Sequence, residues 1–190
     1  MTAPALVEAP AQFKQLGHCR HATPEDRPHF VRLWRAMLEE LRERGSFRLP
    51  DEHNLYLFWD YFDAYTTGRL GGTVVFWSPT SESDPAGVAM AGSQYHEPIW
   101  HLDYNGERWG QLWGVYVEPA YRGTRAGLQM EELGEERLLA LGFHQLVTTV
   151  QAGNPLGLAN QRQLAESREI QVMETVFVGR LGKGPPCEPS

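Results

Sequence analysis

Apolar residues at Phe30, Val31, Trp34, Met37, Leu38 and Leu41 recur at the spacing of one helix face. Just upstream, Thr23 can cap, Pro24 suits a first helical position, and Asp26 stands where a capping-box acid would. Gly45 ends the pattern. A second helix is predicted over 51–65, with Leu55, Phe58, Trp59 and Phe62 on one face and Gly68 as its stop. The texture then changes to β-branched and aromatic runs, which predict strands over 73–77, 88–95 and 112–117. A further short strand fits 17–22, and a polar, turn-rich loop fits 78–85. The segment 96–110 contains Asn105-Gly106, a hairpin-turn pair. After 117 come a glycine-bearing loop, a helix to about Leu141 and a strand over 145–150. Strand, helix and strand in that order suit a right-handed parallel crossover. Asn154-Pro155 opens a shorter helix ending near Glu166, and a last strand is predicted over 172–178.

A chain of 190 residues suits one domain. Residues 1–16 read as an Ala/Pro-rich arm, 17–181 as the folded domain, and 182–190 as a Gly/Pro-rich tail. The apolar content of 42% is enough for a core, and the charged content of 22% is ordinary. A net charge of −7 argues against a nucleic-acid partner, which needs a basic surface. No apolar run is long enough to span a bilayer, and the first ten residues lack the basic start and apolar stretch of a signal peptide. Cys19 and Cys187 form neither a metal-ligand spacing nor a disulfide framework, so a reducing cytoplasm is expected. His18 and His21 lie close together without further ligands, so no metal site is expected. Glu131-Glu132 and Glu135-Glu136 read as a solvated helix face. The six tryptophans read mostly as core. Trp100 and Trp109 flank the hairpin pair and suit either an acceptor-pocket wall or a contact with a second copy or assembly partner.

The stretch with chemistry in it is Val115-Tyr116-Val117-Glu118-Pro119-Ala120-Tyr121-Arg122-Gly123-Thr124-Arg125-Ala126-Gly127. An apolar strand ends at a proline and runs into a glycine-bearing helix start. Such a turn aims backbone N–H groups outward at the positive end of a helix dipole, which suits a phosphate or diphosphate. Gly123 and Gly127 carry no Cβ, so an anion can approach the backbone, and Arg122 and Arg125 add charge. No Lys-Ser/Thr pair follows the second glycine, and the three-glycine dinucleotide pattern is missing. Taken alone, the loop is equally well a turn whose glycines serve packing.

With its surroundings, the loop resembles the GNAT superfamily of acyl-CoA N-acyltransferases. Their hallmark Arg/Gln-x-x-Gly-x-Gly/Ala follows an apolar strand ending in Val-x-Pro. Here Val115-Tyr116-Val117-Glu118-Pro119 matches the strand end, Arg122 and Gly127 match the ends of the hallmark, and Gly123 matches its Arg-Gly variant. The resemblance implies an α/β fold in one domain, with a mixed, mostly antiparallel sheet splayed at the cofactor site and flanked by helices. It implies acetyl-CoA as co-substrate, transfer of the acetyl group to a primary amine of a small molecule or peptide, and no metal. It implies that the backbone of Val115 and Val117 pairs with the pantetheine arm. Residues Arg122, Gly123, Thr124, Arg125, Ala126 and Gly127 would hold the diphosphate, with Asn154 nearby.

Three positions depart from the family. Arg125 replaces the middle glycine. Gln161 stands where many members carry a tyrosine general acid, and Gln111 where many carry a glutamate base. The proton of the attacking amine must therefore leave to another group or to water. Candidates are His96, His101, Asp103, Glu107 and Glu118, the histidines needing least tuning at neutral pH, with Tyr116 as a candidate acid. The same departures suit an alternative: a GNAT-like protein that binds coenzyme A, or a protein partner, without turnover.

Overall fold

The computed structural model describes residues 17–43, 52–93, 109–143 and 145–148. The arm 1–16, the hairpin pair, the elements predicted after 148 and the tail lie outside them, as do Trp100 and Cys187. Strand β1 (His18–His21) leads through a 3-10 turn (Pro24–Asp26) into α1 (Arg27–Glu43). Helix α2 (Glu52–Thr66) is followed by β2 (Gly72–Ser78), β3 (Gly87–Gly92) and β4 (Trp109–Val117). Then come α3 (Ala126–Ala140) and β5 (Gln145–Thr148). The sheet has five strands in the order β1-β2-β3-β4-β5. Its first three pairings are antiparallel and the last, β4 with β5, is parallel. The expected crossover is therefore present, and each described element falls within a few residues of its predicted range. The largest change is at β4, which starts at Trp109 and not at 112.

The start of α1 follows its sequence signals. The Thr23 N–H donates to Asp26 Oδ2 at 2.8 Å, and the Asp26 N–H donates to the Thr23 carbonyl at 3.0 Å. Arg20 of β1 clamps the same carboxylate with two bonds, at 2.7 and 2.6 Å. The Arg20 hydrogen bonds lead in holding Asp26 down at about 2, against burial that opposes them. Because the folded value lies below the unfolded one, 3.8, this stabilisation is complete above that value and lost as pH falls through it toward 2. The Arg20 side chain is 39% exposed, so solvent screening limits the term to about 1–2 kcal/mol. Urea melts of the parent and Asp26→Asn should differ by that amount at neutral pH and converge only as pH falls below about 2. A difference that stays constant across this range would contradict the clamp.

Two layers cover the sheet. Helices α1 and α2 pack on one face through Phe30, Leu33, Trp34, Leu38, Leu55 and Phe62, against Val74, Phe76, Val88, Met90 and Tyr116. Alternation in the strands turns Val75, Trp77, Ala89 and Ala91 to the other face, under α3. Small residues let α3 approach closely, with Gly134 standing over Ala91. Helix α3 buries Ala126, Met130, Glu131, Gly134 and Leu138. Glu131 is thus a correction: it is 7% exposed and does not share a solvated face with Glu136. It lies next to Met130 on the helix, so the buried stripe of α3 takes it in. Of the tryptophans with described side chains, Trp34 and Trp77 are core and Trp59 packs at its edge. On α2, Tyr56 and Leu57 face outward.

Candidate active site

Strand β4 changes partners along its length. Its first part, Trp109 to Leu112, pairs with β5, register Trp109↔Gln145 to Leu112↔Thr148. On the β3 side the register slips: Met90 faces Gly114 while Ala91 faces Leu112. Trp113 is therefore an extra residue, a β-bulge, directly after the last pairing with β5 among the described residues. A bulge bends its strand and increases local twist, which re-aims the second half of β4. Beyond the bulge, 113–117 has no strand on that side among the described residues.

The backbone of this half is specifically oriented. Glu118 N–H donates to the Ala86 carbonyl at 2.9 Å, and Gly87 lies opposite Val117. The hydrogen-bonded pairs then fall at every second position, so Tyr116 and Gly114 turn their N–H and C=O groups to β3. Val115 and Val117 turn theirs to the unpaired edge. Their side chains pack under α3, while Tyr116 packs under α1.

The edge runs directly into the loop before α3. The residues Pro119–Tyr121 form a 3-10 turn. Gly123 follows with φ +79, a left-handed conformation that a side chain disfavours, and none of the described residues lies within 4 Å of where its Cβ would be. Its glycine thus serves the backbone turn as well as any approaching anion. Thr124 closes the turn: its hydroxyl donates to the Tyr121 carbonyl at 2.7 Å and accepts from the Ala126 N–H at 3.2 Å. Among the described residues no acceptor meets the N–H groups of Gly127 and Leu128, which end at the positive pole of α3. Among the described residues, a Cβ on Gly127 would meet only Val115 Cγ1, at 3.6 Å. Internal packing therefore does not demand a glycine there.

The two arginines divide their work. Arg125 has φ −82 and ψ 8, which any residue adopts, so it replaces the family glycine without strain. Its side chain is 65% exposed and reaches only to 3.9 Å from Glu132 Oε1. Arg122 is turned inward. Its Nε donates to the Val117 carbonyl at 3.0 Å, and Nη1 donates to Glu40 Oε1 on α1 at 2.9 Å. Nη2 donates to the other oxygen of Glu40. The guanidinium also stacks over the Tyr116 ring at 5.7 Å. Sequence reasoning assigned Arg122 as a phosphate-facing charge and missed Glu40, which stands 82 residues away with no local motif.

The proton-handling candidates separate in the same way. Glu118 is ion-paired with Arg32 of α1, whose other arm donates to the Pro85 carbonyl. Burial, then the Glu40 charge, raises the Tyr116 phenol above its ordinary value, so it keeps its proton through neutral pH. Gln111 is 8% exposed. His96, His101, Asp103, Glu107, Asn154 and Gln161 lie outside the described residues. Burial, helped by Glu132, pushes the Cys19 thiol up to about 11, which leaves it protonated and unreactive. The ring of His21 bonds Thr73 Oγ1 at 2.8 Å. Among the described residues no three His, Cys, Asp or Glu side chains gather around a metal position, and no helix is long and apolar enough to cross a membrane.

Comparison with known proteins agrees with this geometry. No curated protein sequence matches the chain. Among solved structures, a transcriptional regulator from Bacillus halodurans C-125 superposes with a TM-score of 0.61 at 18% identity, covering 87% of this chain and 100% of its own. AAC(6')-Iy, in complex with the bisubstrate analog CoA-S-monomethyl-acetylneamine, gives 0.61 at 11% identity, covering 88% and 99%. A ribosomal-protein-alanine N-acetyltransferase from Brucella melitensis biovar Abortus 2308 gives 0.57 at 17% identity, covering 88% and 100%. At such identities these superpositions establish the fold. The model of the acetyltransferase (GNAT) family matches residues 34–157, which takes in the later part of α1, the bulged strand and the loop before α3. The chain belongs to the acetyltransferase (GNAT) family.

Proposed function

We propose that the protein is an acetyl-CoA-dependent N-acetyltransferase acting on a primary amine in the cytoplasm. The observation that carries this reading is the unpaired edge of β4 leading into the open N-terminus of α3. An amide-bearing arm can pair with Val115 and Val117 as a strand would, while a diphosphate meets the N–H groups of Gly127 and Leu128. Residues Arg122, Gly123, Thr124, Arg125 and Ala126 form the rest of that cradle, with Asn154 assigned beside it by the family resemblance. Acetyl-CoA supplies an activated thioester. The Val117 N–H, fixed on the open edge, is placed to donate to an acyl oxygen without reorganising.

The residues here favour positioning over proton transfer. Tyr116 holds its proton and can act only as a donor. Glu118 is committed to Arg32. The base is then His96 or His101, with Asp103 and Glu107 next, or ordered water. A thiolate whose pKa is near that of cysteine, about 8.5, leaves tolerably without a dedicated acid. AAC(6')-Iy is an aminoglycoside N-acetyltransferase, and a ribosomal-protein-alanine N-acetyltransferase shares the fold. Both names denote amine acceptors, and a net charge of −7 favours a cationic one. The rival reading, coenzyme A binding without turnover, draws on the buried amide of Gln111 where many relatives carry a carboxylate.

Thiol release with a panel of amines and peptides, measured from pH ~6 to ~9, tests the proposal. The rate is expected to rise with pH as amine or base loses its proton. Alanine at the working histidine should lower kcat/KM and leave acetyl-CoA affinity unchanged. Binding without acceptor-dependent release across the panel would favour the rival. No binding at millimolar acetyl-CoA, by calorimetry and by thermal shift, would remove the co-substrate assignment.

A further inference from the structure

We propose that Glu40 is a positioning residue that sets the site's affinity for its anionic co-substrate by holding Arg122 across the open edge of β4. This rests on the acetyl-CoA reading above. The Val117 carbonyl lies on the edge of β4 turned away from β3, which no strand pairs among the described residues, and Arg122 Nε already occupies it at 3.0 Å. The guanidinium therefore sits between the end of β4 and the loop before α3. Glu40 keeps it there with both carboxylate oxygens, and Tyr116 supports it from below. The two side chains are 31% and 24% exposed, less than the other ion pairs of the helices, and the fork geometry is directional.

Two consequences follow for an incoming ligand. An amide that would pair with the Val117 carbonyl finds Arg122 in place. A diphosphate at the start of α3 meets a cation whose charge is already matched by Glu40. The ligand and the carboxylate compete for one guanidinium, so apparent affinity falls with the fraction of molecules in which Glu40 holds it. Cofactor binding also releases Glu40, which links the occupancy of the loop to α1.

Calorimetry with acetyl-CoA on the full chain tests this in the parent, Glu40→Gln, Glu39→Gln, Arg122→Ala and the Arg122→Ala/Glu40→Gln pair. Glu40→Gln should bind roughly three- to tenfold tighter than the parent. Glu39→Gln removes the same charge from an exposed position on the same helix and should change affinity less than about twofold. In the Arg122→Ala background the gain from Glu40→Gln should vanish. Equal or weaker binding by Glu40→Gln overturns the inference. So does a gain matched by Glu39→Gln, or one that survives without Arg122, because either would be simple charge repulsion. If Glu40→Gln does not fold, Glu40→Asp carries the test. It keeps the charge but shortens the reach, and affinity at or below the parent's overturns the inference. A parent that binds no acetyl-CoA overturns the co-substrate reading and this inference with it; a binding parent with an unresponsive Glu40 overturns this inference alone.

Discussion

Gly127→Trp is expected to weaken acetyl-CoA binding about 100-fold or more while leaving the unliganded protein folded. The loss follows from geometry. The Gly127 N–H lies in the first turn of α3, where a diphosphate would approach, and an indole on the same residue would occupy that approach. Displacing the anion forfeits hydrogen bonds to a charged acceptor, each worth about 1.5–3 kcal/mol, and two of them exceed a hundredfold in affinity. The fold should tolerate the change. Among the described residues a new Cβ meets only Val115 Cγ1, at ordinary contact distance, and replacing a helical glycine recovers about 0.5–1 kcal/mol of propensity. Gly127→Ala adds only that contact and should bind nearly as the parent does. Calorimetry with circular dichroism on the three proteins decides the matter. A folded Trp variant with parental affinity would place the diphosphate elsewhere.

The second large effect belongs to the core. Trp34 is fully buried on α1, stacked on Phe30 at 5.1 Å and tilted against Phe58 at 4.9 Å. Trp34→Ala should destabilise the domain by about 3–5 kcal/mol, since it removes the transfer term of a large ring and leaves a cavity. For a domain of this size that is a fall in Tm of roughly 10 °C. The consequence extends to the site. Trp34 and Met37 stand at 3.4 Å from where a Gly114 Cβ would be, so they seat α1 on β4 just past the bulge. Losing the ring should loosen that seat and lower acetyl-CoA affinity along with Tm. A Tm within about 2 °C of the parent would mean that the cluster of Phe30, Trp34 and Phe58 contributes little.

The sequence by itself determined the features that depend on near neighbours. Helical spacing of Phe30, Trp34, Met37 and Leu38 placed α1, and Thr23-Pro24 with Asp26 placed its start, because capping bonds span only three residues. β-Branched and aromatic runs placed β2 and β3, and the Val-x-Pro strand with its glycine loop placed the candidate site. Arg122 as part of that loop was legible, but the direction of its side chain was not. That direction depends on Glu40, and no local pattern encodes a contact across 82 residues. The burial of Glu131 was equally hidden, because acidic residues in a run are usually solvated, whereas the packing of α3 on the sheet turns this one inward. The bend in β4 was decided only by tertiary structure. It exists because β4 carries one more residue than β3 between the pairs Gly114–Met90 and Leu112–Ala91, so that Trp113 bulges. Register between strands is a relation among distant segments, fixed by which faces find cover, and a single strand's sequence carries no record of it.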